Sequence, residues 1–223
     1  MTVGFLHGFL GSPEVWDGIA VGGVRVALPG HGGAAVQRKW DDNIEAVARA
    51  LGPVDVVVGY SLGARVALGL VASGNVGRAV LISVNPGLDH GERHTRRAAD
   101  TKWAKRFRTE PLADVLDAWE AQPIFATRSR APEAERQARR ARRLALDPEQ
   151  LARSLEAMGL AEMPNFTYDL DERFELIVGA DDSKYLSIAQ SLHVPTHVIA
   201  NCGHDPTLEQ PAALARVLRE LGA

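Results

Sequence analysis

Six short runs are apolar at nearly every position: VGFLH (3–7), VRVAL (24–28), VDVVV (54–58), AVLIS (79–83), FELIV (174–178) and THVIA (196–200). Runs of this kind predict strands covered on both faces, because a strand with one wet face alternates. Amphipathic stretches lie between several of them. One spans 41–51 and opens with Asp41 and Asp42; others span 62–73 and 184–192. After the last strand comes 207–221, with Leu208, Leu214, Val217, Leu218 and Leu221 on roughly one stripe. Strand–helix alternation predicts a doubly wound parallel sheet with right-handed crossovers. The region between the fourth and fifth runs shows no strand pattern and predicts helices at roughly 91–108, 111–121, 131–146 and 148–159. Pro111, Pro132 and Pro148 sit near three of those starts, where proline is tolerated. An excursion this long from the carboxyl edge of a sheet predicts a helical lid over that edge, where α/β folds bind ligands. The expected division is a core of 1–88 and 160–223 and a lid insertion of 89–159.

Composition narrows the function classes. With 223 residues, 46% hydrophobic and 24% charged, the chain has the makeup of a globular domain with one large core. A net charge of −3 argues against wholesale nucleic-acid binding. Charge is uneven, however: residues 89–150 hold 14 of the 25 Lys+Arg and only 11 of the 28 Asp+Glu, so the expected lid is cationic on an acidic protein. The basic RQARRARR stretch (136–143) reads as a helix face with a few arginines turned inward. One cysteine, Cys202, leaves no intramolecular disulfide and fits a reducing compartment. The start, MTVGFLHGFLGS, lacks a basic n-region, and no apolar run approaches the roughly 20 residues of a membrane helix. The expectation is a cytoplasmic protein, without membrane insertion, that is a monomer or weak homo-oligomer.

The chemistry begins at VVVGYSLGAR (56–65). G-Y-S-L-G is a G-x-S-x-G turn, preceded by a strand pattern and followed by a helix pattern, as a nucleophile elbow requires. The two glycines are needed because the bend is too tight for side chains, and it lifts the Ser61 hydroxyl clear of the sheet. A serine needs a base, and the base an orienting carboxylate, in the chain order Ser, acid, His. NCGHDP puts His204 just past the last strand, and VGADDSK puts Asp181 and Asp182 past the fifth. Composition does not separate those two aspartates. His90, His94, His193 and His197 have no such placement; His7 and His31 precede the serine and suit supporting or turn roles. Cys202 has no helix N-terminus to activate it. The HGF turn after the first strand offers the Phe9 N–H, and the elbow offers the Leu62 N–H, as an oxyanion hole. A sheet order of 2-1-3-4-5-6 would make the first and third strands neighbours and put a ligand at the point where their loops diverge. Arg65, four residues after Ser61 on the same helix face, leans back toward the site mouth, where it suits a carboxylate. No spacing here suits a metal ligand set.

Several stretches resemble a known family. They are FLHGFLGSPEVW, LPGHG, VVVGYSLGARVAL and NPGL in the first half, RRAADTKWAKRFRTEPLADVLDAWEAQPIFA and LARSLEAMGLAEMPN in the lid, and GADDSK and CGHDPTLEQP near the end. Almost end to end the chain is similar to the 2-succinyl-6-hydroxy-2,4-cyclohexadiene-1-carboxylate synthases of menaquinone biosynthesis, which are lyases of the α/β-hydrolase fold. The lid pieces R-x-x-x-D-x-x-W, R-F-x-T-E-P-L and W-x-x-Q-P-x-F-A are the specific ones. The resemblance implies a Ser61, Asp182 and His204 triad, with G-x-x-D-x-K favouring Asp182. It implies substrate contacts from Tyr60, Arg65, Arg96, Trp119 and Arg143, the last chosen from Arg139, Arg140, Arg142 and Arg143. Glu120 stands where some relatives have tyrosine. No hairpin precedes the first strand, so a wholly parallel six-stranded sheet is expected. The implied reaction eliminates pyruvate from a small polycarboxylate without cofactor or metal. The competing readings are a carboxylic-ester or carbon–carbon-bond hydrolase with Ser61 as covalent nucleophile, and a non-catalytic binding module of the same fold.

Overall fold

All six apolar runs form strands: β1 (Val3–Leu6), β2 (Val24–Val26), β3 (Val56–Tyr60), β4 (Arg78–Ile82), β5 (Phe174–Gly179) and β6 (Thr196–Ile199). They make one parallel sheet in the order β2-β1-β3-β4-β5-β6, in a computed structural model that describes residues 1–19 and 22–223. The interior strands β3, β4 and β5 have their apolar residues buried throughout; β2 and β6 are edges, and Val198 on β6 is 53% exposed. Helices cover both faces. One face carries α1 (Trp40–Leu51), α2 (Leu62–Ala72) and α7 (Ser183–Ser191) over Leu6, Val57, Leu81, Leu176 and Val178. The other packs α9 (Pro211–Glu220) and the 3-10 turn Pro13–Trp16 on Phe5, Val56, Val58, Val80 and Ile82. Odd and even residues of β3 therefore serve opposite layers, as strand geometry requires.

Between β4 and β5 lie α3 (His90–Thr109), α4 (Leu112–Glu120), the 3-10 segment Pro123–Arg130, α5 (Glu133–Leu144) and α6 (Pro148–Met158). These helices share their own small core of Ala104, Phe107, Val115, Leu116, Leu151, Ala152 and Leu155, and Leu10 from the loop after β1 joins it. Their ends are set locally. The Glu92 side chain reaches back to accept from the Asp89 N–H at 3.2 Å, and Asp147 accepts from the Glu149 N–H at 2.9 Å with Pro148 in the first turn. Two features differ from the expected pattern. The stretch 207–221 is two helices, α8 (Pro206–Glu209) and α9, because Pro211 has no N–H to continue the first and Gln210 leaves helical geometry. Pro13–Trp16 and Pro123–Arg130 are 3-10 turns too short or too irregular for a periodic signal. Among the described residues, no helix is long and apolar enough to cross a membrane.

The link from fold to site is the packing of α2 against β1 and β3. A Cβ on Gly63 would collide with the Leu6 carbonyl, and one on Gly59 would collide with the Gly63 carbonyl. Both obstacles are backbone, so neither can turn aside. Replacing Gly63 with alanine should destabilise the protein by about 3 kcal/mol through overpacking, read as a lower urea midpoint with unchanged slope; a midpoint within error of the parent would show that α2 can back away freely.

Candidate active site

Ser61 stands between β3 and α2 with φ +53°, a left-handed backbone that a non-glycine residue adopts at a cost. Its N–H donates to the Ile82 carbonyl of the neighbouring strand at 2.9 Å, which holds the bend. The His204 Nε2 lies 3.2 Å from the Ser61 Oγ, and the His204 Nδ1 lies 2.7 Å from the Asp182 Oδ2. Asp182 and His204 are buried. The other Asp182 oxygen accepts from the Tyr185 N–H at 3.4 Å at the start of α7, so the carboxylate is held from two sides. Asp181, by contrast, is turned to the surface and paired with Arg130. Geometry separates the two aspartates that composition could not.

The loop bearing the imidazole is braced by a residue that sequence reasoning missed. The Glu209 carboxylate accepts from the Gly203 N–H at 2.8 Å and from the Asp205 N–H at 3.2 Å, one on each side of His204. The imidazole is flanked by the rings of Tyr185, Tyr60 and Phe125 at 4.5, 5.7 and 5.9 Å. Tyr60 was expected in the pocket; Phe125 belongs to the W-x-x-Q-P-x-F-A piece but was given no role, and Tyr185 carried no signal beyond being aromatic. Cys202 is buried, and burial pushes its thiol upward, which disfavours the nucleophilic thiolate. His197 faces Glu175 at 3.1 Å instead.

The Phe9 and Leu62 N–H groups have no hydrogen-bond acceptor among the described residues, and both residues line the cavity at Ser61. Their loop is fastened by a reciprocal clasp. The Leu28 N–H donates to the His7 Nε2 at 3.0 Å, and the Leu10 N–H donates to the His31 Nε2 at 3.0 Å. Each ring thus holds the other loop's backbone, with the proton on Nδ1 facing Gly8 O in His7 and Pro29 O in His31. Leu10, at φ +61°, is also held at its carbonyl by the Arg143 Nε at 3.3 Å. Desolvation lowers His7 to about 4 and His31 to about 3, so both rings are neutral acceptors at neutral pH.

Two cavities meet at Ser61. The larger, about 240 Å³, is lined by Arg65, Arg96, Trp119, Lys184, Tyr185 and His204 among others, and no aspartate or glutamate lines it. Arg65 donates to the Met158 carbonyl at the end of α6 (2.8 Å); burial, then the neighbouring Arg96, lowers its pKa to about 10, which leaves it charged. The Arg96 Nε is shared between the two oxygens of Asp100 at 3.0 and 2.9 Å. Trp119 packs on Phe9 at 5.0 Å and Trp103 at 4.9 Å and faces both cavities. The smaller, about 50 Å³, is lined by Tyr60, Arg139, Arg142, Arg143 and Asp205. Arg143, the expected contact from this stretch, reaches this cavity and is ion-paired with Glu120. Burial pushes Glu120 upward, yet Arg143 and Arg128 outweigh it and hold the carboxyl below its usual range. Arg139 is likewise paired with Asp205 at 2.9 Å. Among the described residues no three His, Cys, Asp or Glu side chains converge as a metal set.

An elbow serine on a parallel sheet with this hydrogen-bonded chain agrees with a family model: residues 5–217 match the alpha/beta hydrolase family. The chain belongs to the alpha/beta hydrolase family. Within it, the chain is 36% identical to a protein of Salmonella paratyphi C named 2-succinyl-6-hydroxy-2,4-cyclohexadiene-1-carboxylate synthase, over 96% of this chain and 92% of that one. A Citrobacter koseri protein of the same name is 37% identical over the same shares. Among solved structures, MenH from S. aureus superposes with a TM-score of 0.90 at 25% identity, covering 100% of this chain and 95% of that one. A malate-bound thermophilic esterase from Thermogutta terrifontis, at 21% identity, a TM-score of 0.74 and coverage of 99% and 89%, shares the fold.

The clasp makes stability pH-dependent in a definite direction. The unfolded chain takes up protons at its histidines as pH falls through 6.5, whereas the folded values of about 4 and about 3 delay this in His7 and His31. Their contribution is therefore complete above pH 6.5 and is lost progressively below it, by about 2 kcal/mol from each at pH 5. Urea melts at pH 7 and pH 5 should show the drop. His31→Gln, which keeps an acceptor for the Leu10 N–H but cannot titrate, should show a smaller one.

Proposed function

We propose that this chain is a carbon–oxygen lyase of menaquinone biosynthesis. It eliminates pyruvate from 2-succinyl-5-enolpyruvyl-6-hydroxy-3-cyclohexene-1-carboxylate to give 2-succinyl-6-hydroxy-2,4-cyclohexadiene-1-carboxylate. The observation that carries the reading is a serine–histidine pair opening into a cavity lined by Arg65, Arg96 and Lys184 without a single carboxylate. A neutral ester makes no use of such a lining; a substrate with three carboxylates does.

The chemistry follows from the two ring systems. The ring loses hydrogen from C2 and the enolpyruvyl oxygen from C5. The C2 hydrogen is α to the succinyl ketone, so its removal sends charge toward the ketone oxygen. His204 Nε2 draws the Ser61 proton, and the Ser61 Oγ takes the C2 proton. The C–H electron pair becomes C2=C3, the old double bond shifts to C4=C5, and the C5–O bond breaks. Enolpyruvate leaves with that pair, and the proton held on His204 balances it on the way to pyruvate. Asp182 keeps the imidazole oriented and stabilises its charged form. The Phe9 and Leu62 N–H groups meet the growing charge on the ketone oxygen, usually the largest catalytic contribution. Arg65 and Arg96 hold carboxylates, Tyr60 and Trp119 wall the ring, and Arg143 with Glu120 fixes the Phe9–Leu10 loop. The helices of 89–159 form the lid over this site. A lone thiol suits a reducing cytoplasm, where the protein works as a monomer or weak homo-oligomer on a dissolved small molecule.

The test is pyruvate formation from the enolpyruvyl substrate, followed with a coupled NADH assay. Ser61→Ala should lower kcat by about 1,000-fold or more. Arg96→Ala should lower kcat/KM for this substrate by about ten-fold or more while sparing any hydrolysis of a neutral aryl ester. Brisk ester turnover with no pyruvate formed would overturn the lyase in favour of a hydrolase with Ser61 as covalent nucleophile.

A further inference from the structure

The cavity at Ser61 opens on one side. Asn85, Arg96, Leu160 and Lys184 line it and also line a groove of about 760 Å³ bounded by Leu88, Gly91, Thr95, Ile188 and Leu192. Those four shared residues form a neck between the enclosed site and the surface, and two of them are cations.

The two cations differ in how their charge is met. Arg96 is met by Asp100. The Lys184 ammonium has no carboxylate within ion-pair distance among the described residues; the Tyr185 ring, 5.7 Å from Nζ, is its recorded neighbour. The aspartates beside it in sequence are engaged elsewhere, Asp181 with Arg130 and Asp182 with His204. Lys184 also occupies the first turn of α7, where unpaired N–H groups already present partial positive charge and a cation is disfavoured. An exposed positive group without an acid partner, at the mouth of a cationic cavity, is placed for an anion that comes and goes.

The substrate supplies one. Of its three carboxylates, two stay with the diene and one departs with pyruvate. Arg65 in the enclosed part and Arg96 at the inner side of the α3 wall match the two that stay, leaving Lys184 for the third. Arg143, the other cation expected to serve, is taken by Glu120. We propose, on the basis of the lyase reading above, that Lys184 receives the enolpyruvyl carboxylate and that pyruvate leaves past it through the groove. Lysine suits this role. Its compact, strongly hydrated ammonium on a flexible stem lacks the rigid two-pronged grip of arginine, so it holds an anion and lets it go. The Tyr185 ring neighbours both groups, 5.7 Å from the Lys184 Nζ and 4.5 Å from the ring of His204, the imidazole that returns the proton to the leaving group.

The experiment uses the full-length protein and its Lys184→Gln, Lys184→Arg and Lys184→Glu variants, with steady-state pyruvate formation and with added pyruvate as product inhibitor. Lys184→Gln should lower kcat/KM about ten-fold and raise the pyruvate inhibition constant by about the same factor, as expected for one lost charge-assisted contact. Lys184→Glu should be worse on both counts, and Lys184→Arg should recover most of both. The Tm of Lys184→Gln should be unchanged or higher, because a cation leaves a helix N-terminus. A Lys184→Gln variant with kcat/KM and pyruvate inhibition both within about two-fold of the parent would overturn the assignment. So would a fall in activity with unaltered pyruvate inhibition, or a lowered Tm that Lys184→Arg does not restore. If the parent itself forms no pyruvate, the lyase reading fails and this inference falls with it.

Discussion

The contact between α2 and the backbones of β1 and β3 is the constraint on which the rest depends. With no Cβ at Gly59 or Gly63, the helix comes close enough to force Ser61 into a left-handed bend. That bend aims the hydroxyl at His204 and leaves the Leu62 N–H at a helix start, free to meet negative charge. The strain is shared along one edge of the sheet. Leu10, Ser61, Ser83 and Asn201 all have positive φ, and they follow β1, β3, β4 and β6 respectively. Strained non-glycine residues persist only where surrounding contacts over-determine them. Here those contacts are identifiable: His31 and Arg143 on Leu10, and the Ile82 carbonyl on Ser61.

Charge around the serine is divided with equal clarity. On the side of the smaller cavity, Arg139 is paired with Asp205, which ties α5 to the loop after β6, and Arg143 with Glu120, which ties α5 to α4. Buried pairs of this kind add little net stability, but losing one partner strands a charge. On the side of the larger cavity, Arg65 donates only to a backbone carbonyl and a sulfur, Arg96 keeps its terminal amino groups off Asp100, and Lys184 has no acid partner. The same residue type is scaffold on one side of Ser61 and receptor on the other.

This division explains what could be read from the chain and what could not. Strand positions and the elbow were legible because each rests on a local rule: continuous apolar runs for buried strands, paired glycines for a tight bend; the strand order was a supposition, and the sheet has that order. His204 was legible from its place after the last strand. Composition did not say which aspartate orients it, and only the G-x-x-D-x-K resemblance pointed to Asp182; the two differ in the direction each leaves the turn, and Arg130 pairs with Asp181. The arginines of α5 were ambiguous for a similar reason. Arg139 and Arg143, four apart, face inward, but whether either is free depends on acids far away in sequence. The roles of His7 and His31 as acceptors for each other's loops, and of Glu209 as a brace, exist only once the loops are side by side.

The sharing of this fold with esterases of low identity sharpens the question of what makes an elbow serine act as a base. The serine–histidine–aspartate geometry does not decide it, because the same hydroxyl, 3.2 Å from its imidazole, can attack a carbonyl carbon or accept a proton. The decision falls to whatever sets which substrate atom meets the Oγ. Arg65 rises from α2 one turn beyond the serine, Arg96 comes from α3, between β4 and β5, and Lys184 from α7. Three cations on three different elements line one cavity, and on the proposed reading they would fix the rotation of a polyanionic ring more firmly than shape alone. With its carboxylates held apart in this way, the ring can present a C–H bond to the oxygen while the neighbouring ketone lies at the Phe9 and Leu62 N–H groups. An elimination then needs no new catalytic group, only an electrostatic frame that turns the substrate to it.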